Sequence, residues 1–201
     1  MSGGKQMMGI YLTRDGGESW TAVKIGEGDG GSISTVVLDP KNGNIIYAAG
    51  LVSDSTSVLY KSSNGGASWT PLNSPSVESS YKPEIAALAV DPSAPNTLYA
   101  LCRWGSEVFR STDGGATWTR LPLPQESGFG YQGYLAVNPS KTSEIFVGGE
   151  KGVFYSGDGG ATWTDLSADL PVKKIRGVFI DGPKRQLYVG TYGAGVCQRS
   201  F

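Results

Sequence analysis

Ser111-Thr112-Asp113-Gly114-Gly115-Ala116-Thr117-Trp118 is the stretch whose reading decides the fold, because the chain carries it four times. The other copies are Thr13-Arg14-Asp15-Gly16-Gly17-Glu18-Ser19-Trp20, Ser62-Ser63-Asn64-Gly65-Gly66-Ala67-Ser68-Trp69 and Ser156-Gly157-Asp158-Gly159-Gly160-Ala161-Thr162-Trp163. Their tryptophans, Trp20, Trp69, Trp118 and Trp163, lie 49, 49 and 45 residues apart, a period typical of solenoids and propellers.

The sequence between the boxes has one repeating order. Ser34-Thr35-Val36-Val37-Leu38-Asp39-Pro40 is a β-branched run stopped by proline. Ile45-Ile46-Tyr47-Ala48-Ala49-Gly50 follows a hairpin-type turn, then come Val58-Leu59-Tyr60-Lys61-Ser62, the box, and Trp69-Thr70-Pro71-Leu72. The same order returns from Ile85 to Leu121 and from Tyr134 to Leu166. Four short strands per repeat with no helical periodicity predict an all-β chain, a β-propeller of four-stranded antiparallel blades with box hairpins, in about four repeats. A β-sandwich is the runner-up, disfavoured because strict repetition suits a radial arrangement.

Blades are expected at 34–73, 85–122 and 133–167, all within a single domain spanning 1–201 or forming part of a larger propeller. The last is expected to be composite, from 175–201 plus 9–25. One strand is then surplus, since Gly9 to Thr13 and Gly195 to Arg199 both read as third strands. Three closures follow: a four-bladed ring, which is preferred; a half-ring completed as a homodimer; or a piece of a longer protein.

Composition narrows the function classes. A net charge of -1 with charges spread along the chain offers no basic stripe for phosphates, which argues against nucleic acid. No apolar run reaches the roughly 20 residues needed to span a bilayer, so no membrane insertion is expected and the chain reads as soluble. Met1 to Met8 show no signal-peptide pattern. Histidine is absent, which removes imidazole bases and histidine metal ligands. The two cysteines, Cys102 and Cys197, are too few for a cysteine metal site and are expected as buried free thiols. No cofactor and no metal are expected.

The boxes explain themselves without a ligand. An aspartate or asparagine before Gly-Gly suits a tight turn, because the side chain accepts backbone hydrogen bonds and glycine adopts positive φ. The hydroxyl residue and the tryptophan then lock the hairpin, the indole filling space against the next blade. Asp15, Trp20, Asn64, Trp69, Asp113, Trp118, Asp158 and Trp163 are therefore read as structural.

These boxes resemble the Asp-box, or BNR, repeat of sialidases, sortilin-type receptors, xyloglucan-active glycoside hydrolases and photosystem II assembly-factor-like propellers. All four copies match, Asn64 being the one change at the acidic position. The resemblance covers the chain and implies boxes on the outer hairpins, away from the ligand face, usually in rings of six or more blades. It also suggests a secreted, periplasmic or lumenal setting.

Function is accordingly expected on the opposite face, in the loops after fourth strands and between second and third strands. The candidates there are Tyr81, Arg103, Trp104, Glu107, Tyr131, Glu150, Arg176 and Tyr192, an aromatic and charged set suited to a protein or glycan ligand. Trp104 is the only tryptophan outside the boxes. The expected function is a non-catalytic binding or assembly module. The alternatives are a xyloglucanase-like glycosidase, or a structural or engineered repeat without a ligand. A sialidase-like site is disfavoured, since the arginine-isoleucine-proline signature is missing. A xyloglucanase-like reaction needs two facing carboxylates, for which Glu84, Glu107 and Glu150 are the positional candidates.

Overall fold

The computed structural model describes residues 7–29, 31–52, 56–76, 83–103, 107–124 and 133–201. Every regular element among them is a strand. β1 (Met7–Leu12) and β2 (Thr21–Asp29) form a two-stranded ribbon. Three four-stranded sheets follow: β3 (Ser32–Asp39) to β6 (Thr70–Leu72), through β4 (Asn42–Leu51) and β5 (Ser57–Ser62); β7 (Ile85–Val90) to β10 (Thr119–Leu121), through β8 (Leu98–Cys102) and β9 (Glu107–Ser111); and β11 (Tyr134–Val137) to β14 (Thr164–Asp165), through β12 (Ile145–Gly149) and β13 (Gly152–Ser156). β15 (Ile175–Asp181), β16 (Gln186–Thr191) and β17 (Val196–Ser200) close the series as a three-stranded sheet. Each sheet is antiparallel and ordered as in the sequence, the layout of a propeller blade.

First strands end on, or are followed directly by, an acid or amide because the turn there needs an acceptor. Asp39 Oδ1 takes the Lys41 N–H (2.8 Å), Asp91 Oδ1 takes Ser93 (2.7 Å), Asn138 Oδ1 takes Ser140 (2.9 Å) and Asp181 Oδ1 takes Lys184 (3.1 Å). The third strands β5, β9 and β13 end in a box. Ser111 Oγ donates to Asp113 Oδ1 (2.7 Å) and accepts the Gly115 N–H (2.8 Å). Asp113 in turn accepts the Thr117 N–H (2.9 Å) and hydroxyl (2.6 Å). Gly114 and Gly115 stand at φ +75° and +93°, the left-handed region that glycine enters at no steric cost. Asn64 keeps this scheme with one bond reversed: its Oδ1 accepts from Ser62 Oγ and Ser68 N–H (both 2.9 Å), while its Nδ2 donates to Ser68 Oγ (2.8 Å).

The core lies between successive sheets. Tyr47, Leu59 and Leu72 meet Leu98, Phe109 and Trp118 at the first junction. Val108, Leu121 and Leu123 meet Val147, Phe154 and Trp163 at the second, and Phe146, Val153, Leu166 and Leu170 meet Leu187 and Val189 at the third. Such stacking makes stability a sum of sheet and junction contributions.

The expected composite blade is not formed. β1 pairs only with β2, and β17 only with β16, so the two ends share no sheet among the described residues. The outer face of the last sheet is open, with Phe179 77% and Val196 72% exposed, and at the other end Tyr11 is 71% and Trp20 60% exposed. Among the described residues these strands therefore make no shared blade. Cys197 is also corrected. Both cysteines are free, but only Cys102 is buried, since Cys197 sits on the edge strand β17.

Candidate functional site

The face opposite the boxes is built where second strands end. Arg103, Glu150 and Tyr192 follow directly on β8, β12 and β16, so three successive sheets present them at equivalent positions. The equivalence is backed by the backbone: Arg103 N–H donates to Glu84 O and Tyr192 N–H to Lys174 O, both at 2.8 Å. Each bond ties the end of a second strand to the start of its first strand.

Charges on this face are largely paired. Arg103 Nη1 lies 3.0 Å from Glu84 Oε1, and both are mostly buried. Glu107, buried at the start of β9, turns to Arg120 Nη2 at 3.0 Å on the neighbouring β10. Glu150 Oε1 meets Lys174 Nζ at 3.5 Å. Beside this pair the Tyr192 ring is approached by two cations, with Lys174 Nζ 5.3 Å and Arg176 Cζ 5.1 Å from its centroid. The ring remains 61% exposed.

The structure thus gathers Glu150, Arg176 and Tyr192 into one cluster and adds Lys174 to it. Arg103 is on the same face but one sheet away, held by Glu84. Glu107 is spent on Arg120, a partner sequence reasoning did not anticipate because the pair forms diagonally across a hairpin. The register Phe109↔Arg120 and Val108↔Leu121 is the signal that would have found it. Tyr81, Trp104 and Tyr131 lie outside the described residues. Burial, with the Glu107 charge beside it, pushes the Cys102 thiol far above its ordinary value, so it stays protonated. Among the described residues no group of three or more His, Cys, Asp or Glu side chains is placed to hold a metal ion, and no helix is long and apolar enough to cross a membrane.

Several solved structures share this arrangement of sheets. An ancestral GH74 enzyme superimposes with a TM-score of 0.69 at 24% identity, over 91% of this chain and 24% of that one. YCF48 bound to D1 peptide gives 0.59 at 14% identity, over 84% of this chain and 50% of that one. The extracellular domain of the one component system BT4673 from B. thetaiotaomicron gives 0.68 at 13% identity, over 98% of this chain and 26% of that one. At these identities the likeness is one of fold, and the chain spans between about a quarter and a half of the solved chains it matches. Comparison with curated proteins returns no match. Residues 28–187 match the family described as the DUF6242 beta propeller domain, and with its successive antiparallel blades the chain belongs to that family.

Proposed function

We propose that the chain is a non-catalytic binding module whose loop face, centred on Tyr192, Lys174 and Arg176, receives a segment of another protein. The observation that carries this reading is the exposed Tyr192 ring with two cations against it, beside Glu150. An aromatic face supplies contact area at little entropic cost, and the two cations with one carboxylate leave a net positive rim that favours an acidic or carboxylate-bearing ligand. Glu84, Glu107 and Glu150 are each engaged by a base rather than facing another carboxylate across a cleft, which favours binding over glycosidic hydrolysis. A relative of the same fold solved with a bound peptide supports a polypeptide ligand.

A glycan is the second reading, favoured by the same exposed ring, which offers a sugar an apolar face to stack on, and by a GH74 enzyme among the fold relatives. The test is a peptide library and a glycan array probed with the whole chain, then with Tyr192→Ala and Arg176→Ala. Each variant should weaken the selected ligand about tenfold, as loss of one exposed anchor does, with little change in melting temperature. Binding unaffected by either substitution defeats the proposal. So does reducing-end release from β-glucans that Glu84→Gln or Glu150→Gln abolishes, because it would make the chain a glycosidase.

A further inference from the structure

Where the β1–β2 ribbon meets the first four-stranded sheet, an aromatic pair is covered less than its counterparts. Register makes Tyr60, Phe109 and Phe154 equivalent, each standing opposite the second residue after a box tryptophan: Pro71, Arg120 and Asp165. Phe109 and Phe154 are buried against leucines of the preceding sheet, whereas Tyr60 is half-buried. Two local differences account for this. Val23 stands where the next two sheets have Leu72 and Leu121, and Lys24 stands where the next sheet has Asn73. Asn73 clasps the box that follows it, its Nδ2 donating to Ala116 O and its carbonyl accepting from Trp118 Nε1, both at 2.9 Å. Lys24 has no carboxamide to repeat the clasp, and Trp69 Nε1 turns back to Gly66 O of its own turn (3.1 Å).

The consequence is a groove of about 370 Å³, lined by Lys24, Ile25 and Gly26 of β2 and by Tyr60, Trp69 and Pro71. That volume is within the range of ligand-sized clefts. A Cβ at Gly26 would strike the Tyr60 hydroxyl, so the glycine is what admits the ring against β2. The walls belong to the outer hairpins of two neighbouring sheets and to no residue at either end of the chain.

We infer that this groove receives a proline-rich segment of a partner protein in the polyproline II conformation, with an acidic residue beside its prolines. Two aromatic rings and a pyrrolidine give apolar walls of the kind on which prolines dock. The polar side chains of the lining, the Tyr60 hydroxyl and the Lys24 ammonium, bring donors and no carboxylate or amide acceptor. A run of prolines is the complement, because it presents carbonyls and no N–H. A sugar, whose hydroxyls donate as well as accept, would find only the Tyr60 oxygen to receive them among these side chains. Charge complementarity supplies the acidic residue, since the lining holds one cation and no acid. An added β-strand fits less well: Pro71 sits in the middle of β6, the edge strand of its sheet, and leaves that edge without a donor there. The site is separate from the Tyr192 cluster and uses none of its residues.

The probe is a fluorescein-labelled peptide, Pro-Pro-Asp-Pro-Pro-Pro-Asp-Pro-Pro, titrated with the whole chain and read by fluorescence polarisation. Saturable binding is expected, weakened at least about tenfold when alanines replace the prolines. Tyr60→Phe installs the ring already present at Phe109 and Phe154, so the fold stands while the donor is lost; binding should weaken about two- to tenfold. Lys24→Ala should weaken the acidic peptide about two- to fivefold and leave a version with asparagine for aspartate unchanged. Indole N–H resonances give a second readout: the Trp69 signal, assigned by its loss in Trp69→Phe, should shift during the titration while the Trp118 signal stays. Absence of saturable binding, equal binding of the alanine peptide, no effect of Tyr60→Phe, or an unmoved Trp69 signal overturns the inference. Lys24→Ala weakening both peptides alike overturns the acidic-residue assignment. A β-glucan oligosaccharide that moves the Trp69 signal where the peptide does not makes a sugar the occupant and overturns the inference. Tyr192→Ala should leave peptide binding unchanged; loss of binding there places the peptide on the loop face and overturns it too.

Discussion

Replacing Asn138 by aspartate should destabilise the chain in a pH-dependent way, although aspartate stands at the same turn position in the other three repeats, at Asp39, Asp91 and Asp181. The difference is Glu144. Its side chain is fully buried, and its Oε2 accepts from Asn138 Nδ2 at 2.6 Å. Lys141 Nζ (3.1 Å) and Arg185 Nη1 (3.3 Å) reach its other oxygen from half-exposed positions. Burial pushes the Glu144 carboxyl up, but the bonds from Asn138 and Lys141 and the Arg185 charge outweigh it, so the net direction is down. Asn138→Asp removes the buried donor and sets two carboxylates in contact. One of them must then take up a proton, which for a group of ordinary pKa near 4 costs about 4 kcal/mol at pH 7, at roughly 1.4 kcal/mol per pH unit. The two cations reduce this, leaving about 2–3 kcal/mol, or a fall of about 4–12 °C in melting temperature for a chain of this size. Urea unfolding at pH 7 and pH 5 measures it: the penalty should shrink by about 1.4 kcal/mol per pH unit as proton uptake becomes easier. Adding Glu144→Gln should restore most of the loss by returning an amide donor to the pair. A penalty equal at both pH values, or no rescue, refutes the reasoning.

The remaining predictions concern the boxes and the thiols. Asp15, Asp113 and Asp158 are held well below the usual carboxylate range, chiefly by the hydroxyl and N–H of Ser19, Thr117 and Thr162. A depressed folded value means that their contribution is present above the unfolded pKa near 4 and is lost as pH falls below it. Near-UV circular dichroism from pH 5 to pH 2 should show Asp113→Asn/Asp158→Asn less acid-sensitive than the parent and close to it at pH 7, as the resident Asn64 box implies. Trp163→Ala should cost about 2 kcal/mol in chemical unfolding, since the indole packs on Leu121 and Leu123, whereas Trp20→Ala should cost less than about 0.5 kcal/mol because its ring is mostly in solvent. A chromogenic disulfide reagent should titrate one thiol quickly in the native chain, Cys197, and the second, Cys102, only on unfolding.

Strand order and box geometry were legible in the sequence because both are local. Ser111, Asp113, Gly115 and Thr117 satisfy one another within a few residues, so the pattern carries its own hydrogen bonds, and turn-separated β-branched runs have few partners other than their neighbours. What depended on distant contacts was not legible. Glu144 reads as an ordinary acid before a strand, and nothing near it announces that Arg185 comes from the next sheet to meet it. The strand-like run around Cys197 suggested burial, but among the described residues β17 has a strand on one side only, which leaves the thiol half in solvent. Of the loop candidates, Glu150, Arg176 and Tyr192 converge because equivalent strand ends are superposed from sheet to sheet. Glu107 departs because a cross-strand arginine was nearer than the loops.

The asparagine box has a bearing on how the chain ages. Asn64 precedes Gly65, the pairing in which a side-chain amide is most readily attacked by the following backbone nitrogen and converted to a cyclic imide. Here that nitrogen donates to Asn44 O (2.9 Å), and the amide is held by Ser62 and Ser68, so attack requires the turn to open first. The turn thus shields its own weakest bond. When it does open and the imide hydrolyses, the fraction that opens to aspartate restores the residue already present in the other three boxes, whereas the isoaspartate fraction puts an extra methylene into the main chain and breaks the turn's hydrogen-bond register.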